Sequence, residues 1–444
     1  MASPRDRTAT DRRTESDRLD PFASGIDRRR LMRSSAAGAS AAVAGCLGDG
    51  AAVEREPTVY VFNNGDRTVT VVDAERDEAL ETVHVDTTAS FPANQYGTGA
   101  DSEYDVLWLN VDGGVAALDA HTLEEVARVE TGFEPNYPNL TPDEEHLLVA
   151  AGGTTTLDPD PESDGADESD ESAAAEDHAI VRIDADRDGD TFGEVTEEIR
   201  TGYTGPCDAT LDPGGEYAFV PEIAAERLRV VEVDPFETAA EVDVGEPAGD
   251  GQVLPFMATA SFDGDLLLVE NGEGALGPDP EVPREGSESI WDVSTPTEPV
   301  ELERITRSDG LPATPITSEI GPECETGYLF TPDAEAVTVL DLEDREVDRV
   351  LDVGGSAISG AWGPRREKLY VPVQTANRVA VVDHARREVV ATIDAGESPT
   401  GAVGGMVRPE TSADQRLRAA LAGLGLEFGE REATACPDGN CYCG

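Results

Sequence analysis

Three of the six cysteines lie in the last nine residues, "CPDGNCYCG". Thiols this dense can form disulfides, bind a soft metal or do redox chemistry. Cys441 and Cys443 are separated by one residue, and such a pair bridges itself poorly. Each is therefore expected to find another partner, or the two share a soft ion such as Cu(I). The Cys-x4-Cys-x-Cys spacing lacks the paired C-x-x-C pattern of zinc modules. Cys324, in "GPECETGYLF", is expected on the face of the fold where the tail arrives. Cys324, Cys436, Cys441 and Cys443 are thus the disulfide candidates, and the three tail cysteines are alternative metal ligands.

A second group is acidic. "DADRDGDTFGE" places Asp184, Asp186, Asp188 and Asp190 in the D-x-D-x-D-G order that opens a calcium loop. The twelfth position is Val195, with Glu194 one residue early, so a calcium loop and a solvated hairpin turn both stand as readings. Just upstream, "LDPDPESDGADESDESAAAEDH" is low in complexity and is expected to be a disordered insertion over residues 154–178. The five histidines are His84 in a strand, His121 and His384 in matching turns, His146 at a strand start and His178 in that insertion. None is expected at a channel mouth, and there is no Cys-x-x-Cys-His, so no haem is expected.

The elements that must position these groups repeat. "TVTVVDAERDEALETVHV", "RLRVVEVDPFETAAEVDVG", "AVTVLDLEDREVDRVLDVG" and "RVAVVDHARREVVATIDAG" each read as a β-branched strand ending near an Asp, a polar turn and a second strand. The markers are Asp73, Asp119, Asp184, Asp234, Asp292, Asp341 and Asp383, spaced at the length of a four-stranded propeller blade plus insertions. Turn-and-strand phrases such as "DPGGEYAFVPEI" precede several of them. "PRREKLYVPVQTANRVAVVD" resembles the YVTN-type repeat, and the resemblance extends over about residues 58–407. It implies an all-β, seven-bladed β-propeller of four-stranded blades and says little about activity. The first unit lacks an innermost strand, whereas "SPTGAVGGMV" (398–407) is spare at the other end. Threading it into the first blade would close the ring. Residues 408–444 are expected to form a short helix, with Leu417, Leu421 and Leu424 on one side, followed by the Cys-rich tail.

Aligning the turns "EPN", "GPC", "LPF", "SAI" and "SPT" puts Asn136, Cys207, Phe256, Ile358 and Thr400 around one mouth of the channel, with Met257 beside them. These residues are the expected ligand-binding rim, because convergent loops on a rigid scaffold commonly carry sites. Lactonase-like propellers are related folds, but no catalytic constellation is legible here.

Composition bounds the setting. The chain has 444 residues, 33 Lys+Arg against 92 Asp+Glu, and a net charge of −59. Lys368 is its only lysine. Such a chain repels itself unless salt screens it, and it resembles proteins of halophilic archaea. The charge argues against nucleic acid as a partner. The N-terminus breaks the pattern: Arg28 and Arg29 open a stretch resembling a twin-arginine export signal over residues 1–45. "VAGC" then resembles a lipobox ending at Cys46, which would be lipidated and tethered through residues 46–57. The expectation is an exported protein anchored by lipid on the outer face of the cytoplasmic membrane. Two roles follow: a binding or scaffolding module meeting a surface protein or small ligand, or a metal-handling or redox protein using the cysteines. A lactonase-like hydrolase is a third, and calcium or copper are the candidate ions.

Overall fold

The computed structural model describes residues 56–89, 91–93, 106–131, 135, 137–151, 178–202, 204–248, 251–274 and 285–426. The chain separates into units 1–53 and 54–444, and the first lies wholly outside the described residues. The second is a ring of seven antiparallel sheets. Blade 4, for example, runs from its innermost strand Thr210–Leu211 through Tyr217–Glu222 and Arg227–Glu232 to the outermost strand Glu237–Asp243. In blade 2 the innermost element is reduced to residues 91–93, joined to the next strand by the Pro92–Leu109 bridge.

Second and third strands are apolar on both faces because neighbouring blades cover both. Thr58–Asn63 and Thr68–Asp73 are buried at every position, whereas the outermost strand Glu125–Glu130 is mostly exposed. The core is accordingly divided among the seams. Val59, Val61 and Val72 of blade 1 pack on Tyr370, Val379 and Val381 of blade 7. Leu268 and Ile290 of blade 5 pack on Ile320, Leu329 and Leu340 of blade 6.

All the repeated aspartates but Asp234 cap the turns that lead to the outermost strands; in blade 4 the strand ends at Glu232 instead. Oδ1 of Asp73 accepts from the N–H groups of Glu75 and Arg76 at 3.0 and 3.1 Å. Asp119 does the same for His121 and Thr122, and Asp341 for Glu343 and Asp344. These are Asx turns, in which a short side chain replaces a missing backbone acceptor.

The spare strand closes the ring as expected. Pro399–Gly405 pairs antiparallel with Thr58–Asn63, setting Val403 opposite Tyr60 and Ala402 opposite Val61. A Cβ on Gly404 would come within 2.4 Å of the Trp362 carbonyl oxygen, so only glycine lets this strand lie so close to blade 7.

Helix α1 (Ala413–Ala422) starts with a capping box between Ser412 and Gln415. It lies against the outermost strand of blade 1 and is held by polar contacts, including Gln415 Nε2 to the Thr122 carbonyl at 3.0 Å. The leucine stripe is not its anchor. Leu417 and Leu424 are exposed, and Leu424 falls beyond the last helical turn. No helix among the described residues is long and apolar enough to cross a membrane.

Candidate functional site at the channel mouth

Innermost strands all start at one end of the channel, where second strands end and third strands begin. The aligned positions do meet there. Cys207, Phe256, Met257 and Ile358 share one apolar cluster with Phe91, Tyr137, Leu254 and Ile316, each at most 9% exposed. The rings of Phe91 and Tyr137 meet at a tilt of 41° with centroids 3.8 Å apart. Thr400 is 2% exposed, and its carbonyl accepts from Ser359 Oγ at 2.7 Å. Asn136 lies outside the described residues. The described members of the expected rim therefore pack as a plug. Apolar side chains that converge bury one another and exclude water. Sequence alignment missed Ile316, although "ATPITSE" carries the same Pro-x pattern.

Just below the plug, the innermost segments of blades 3 to 7 each reach to the next blade. Asn139 Nδ2 donates to Asp208 Oδ1 at 2.9 Å, and Asp208 Oδ2 accepts from the Ala258 N–H at 3.3 Å. Thr259 Oγ1 donates to the Ser318 carbonyl, and Thr317 Oγ1 to the Ile358 carbonyl. With Ser359, this side-chain clasp runs from blade 3 round to blade 1.

Within it lie acids that the sequence reading did not single out. Burial pushes the Asp208 carboxyl up to about 7, against the pull of its Ala209, Ala258 and Asn139 donors. Burial likewise raises Glu270 to about 8, helped by the charge of Asp208 and opposed by Ser318. Burial and the charge of Glu270 hold Glu288 well above the ordinary carboxylate range. All three are 0% exposed. Acids this displaced can give or take protons near neutral pH. Their sequence signal was weak but present. Glu270 interrupts the apolar run of "LLLVENG", and Glu288 sits in a strand, "SESIWD", that is otherwise buried.

The equivalent corner of blade 4 is built differently. Glu222 is also 0% exposed, but it receives Arg227, Arg229 Nε at 2.8 Å and Thr204 Oγ1 at 3.0 Å. His178 requires a correction. It begins the strand His178–Asp184, is 4% exposed, and its Nδ1 accepts from the Gly205 N–H at 2.9 Å. It therefore stands at the mouth end, not in a disordered insertion. The acidic run beside it masked the strand signal, and residues 152–177 lie outside the described residues.

The other candidates are scattered. Asp184, Asp186, Asp188 and Asp190 fold as a hairpin turn. Asp184 accepts from the Asp186 N–H and Asp186 from the Asp188 N–H, so these carboxylates serve their own backbone. Among the described residues, no three His, Cys, Asp or Glu side chains converge as metal ligands. Among the described residues, Cys324 is a free, half-buried thiol. It occupies a turn position of φ 61°, where Gly215 and Gly264 stand in blades 4 and 5. Cys207 is buried, with its Sγ 3.4 Å from the Gly205 carbonyl oxygen. Arg28, Arg29, Cys46, Cys436, Cys441 and Cys443 lie outside the described residues.

The opposite end of the channel has its own polar cluster. Tyr328 Oη and His384 Nδ1 are 2.7 Å apart, His384 Nε2 pairs with Glu323, and the Trp362 ring meets His384 edge-on. Tyr370 Oη donates to Asp77 Oδ1 at 2.8 Å at the next seam, beside a cleft of about 70 Å³ that Lys368 and Arg365 line. Both clusters join one blade to the turn of the next, so they are clasps between blades.

No protein-family model matches the chain, and no curated protein matches it. Solved structures do. The chain is similar to a hydrazine synthase structure from Kuenenia stuttgartiensis, with a TM-score of 0.54, 16% identity, and 77% of this chain and 99% of that one covered. It is similar to a 6-phosphogluconolactonase, so described on trial, from Bacteroides fragilis (TM-score 0.56, 12% identity, 80% and 99% covered). A periplasmic gluconolactonase from Pseudomonas aeruginosa is comparable (0.53, 14%, 79% and 99%). At these identities the likeness carries the fold alone.

Proposed function

We propose that the protein is an exported, lipid-anchored β-propeller that acts as a binding module at the cell surface. The observation that supports this reading is the plug of Phe91, Tyr137, Phe256, Ile316 and Ile358. With those side chains on the axis, a partner meets the propeller on its outer turns. Export and anchoring rest on the signal-like order of Arg28, Arg29 and Cys46. The test is photo-crosslinking on cells of a halophilic host. Probes go at Ser308, Asp333 and Thr375 on the mouth face, and at Ser294, Glu343 and Arg386 on the other. A discrete adduct from one face only is expected. No adduct from either face, or cell-free secretion of the chain, would remove the reading.

A lactonase-type hydrolase is the second reading. Asp208 near neutral pKa favours it, together with the gluconolactonase descriptions of two of the structural neighbours. Turnover of a δ-lactone in a pH-stat, lost in Asp208→Asn, would put this reading first.

A further inference from the structure

We propose that Glu270 and Glu288, with the Ser318 hydroxyl, form a buried calcium site at the seam of blades 5 and 6. The two glutamates face each other across adjacent strands in direct register. Both are 0% exposed, and among the described residues the carboxylate oxygens of Glu288 have no hydrogen-bond partner, while those of Glu270 have at most the weak approach of Ser318 and its own backbone N–H. Ser318 Oγ is also fully buried and without a well-aligned partner, and it faces Glu270. Asp208 adds negative charge from blade 4.

With no counter-charge beside them, burial and mutual repulsion keep both carboxyls largely protonated, whereas buried carboxylates are ordinarily paired or metal-bound. Blade 4 shows what pairing looks like in this chain, since the equally buried Glu222 holds Arg227 and Arg229. Among the described residues, the Glu270–Glu288 pair has no such cation. A divalent ion would neutralise both carboxylates. The donors are all oxygen, which selects a hard cation. Calcium accepts irregular coordination, whereas magnesium demands near-octahedral geometry and keeps its waters. The site consists of two carboxylates and a hydroxyl, which accords with the absence of any convergent three-acid set.

The experiment uses the full chain in molar KCl, stripped with a chelator. Asp186→Asn and Asp188→Asn are included to silence the acidic hairpin. Calorimetric titration with CaCl2 and melting followed by circular dichroism are the readouts. The expected result is one calcium bound per chain and a melting temperature that rises with calcium, both abolished by Glu270→Gln with Glu288→Gln. If that pair of changes prevents folding, Ser318→Ala decides, with an expected loss of roughly tenfold or more in affinity. Calcium-independent melting of the parent, or binding undiminished in either variant, would overturn the proposal.

Discussion

The same side chain leads opposite lives at the two ends of the blades. At the outer turns, Asp73 is buried yet held below the ordinary carboxylate range. Burial alone would raise it, but the Arg76 and Glu75 N–H groups and the charges of Arg76 and Arg408 prevail. At the mouth, Asp208 has three donors and no cation, and burial prevails instead. Both side chains are hidden from solvent, but Asp208 lies far deeper, so depth and partners act together. The partners that count are donors and an arginine, and this chain has few cations to distribute.

Four measurements sharpen or break that contrast. The largest effect concerns the unpaired outer acids. Moving the protein from molar to about 0.1 M KCl lengthens the screening distance from roughly 3 to 10 Å. We expect the β-sheet circular dichroism signal to collapse; retention with an unchanged midpoint would contradict the salt-adapted reading. Next is Asp208. Its folded pKa is raised, so the native state binds more protons than the unfolded chain between about pH 4 and 7. Its contribution is full below pH 4 and lost as pH rises through 7, on the order of 4 kcal/mol. Denaturant titrations should show that slope in the parent, and a flatter one in Asp208→Asn. Equal slopes would remove Asp208 from the account.

Asp73→Ala should cost about 1–2 kcal/mol by leaving two N–H groups without their acceptor. Its folded pKa is lowered, so the sign reverses: the stability it gives is present above the ordinary carboxylate pKa and lost as pH falls. Urea midpoints at pH 7 and pH 4 should differ less for the variant than for the parent. The smallest effect is a gain. Cys324→Gly relieves a left-handed turn position and should add up to about 1 kcal/mol. A loss of stability would show that the thiol's contact with Asp263 matters more.

What was legible in the sequence follows the range of the interactions. An Asx turn spans three residues, so the repeated aspartates announced the turns, and their spacing announced the blades. The spare strand was legible because a ring has to end where it began. The mouth positions were found in register, and the structure adds that those described are packed against one another. Glu270 and Glu288 escaped because their meaning depends on which strand lies opposite, and because 92 acids conceal three. His178 escaped through its neighbours, as local composition outweighed a strand that only the partner Gly202 and its fellows define.

The strand Thr58–Asn63 lies between one strand that follows it at once and another made nearly 340 residues later. The ring cannot close until residues 399–405 have left the ribosome, so blade 1 is the last part to be finished although it is the first to be made. The same arrangement sets how the molecule bears load. A pull directed along that strand would shear two hydrogen-bonded ladders at once rather than peel them bond by bond. A tethered protein built this way would resist tension at the point where tension enters.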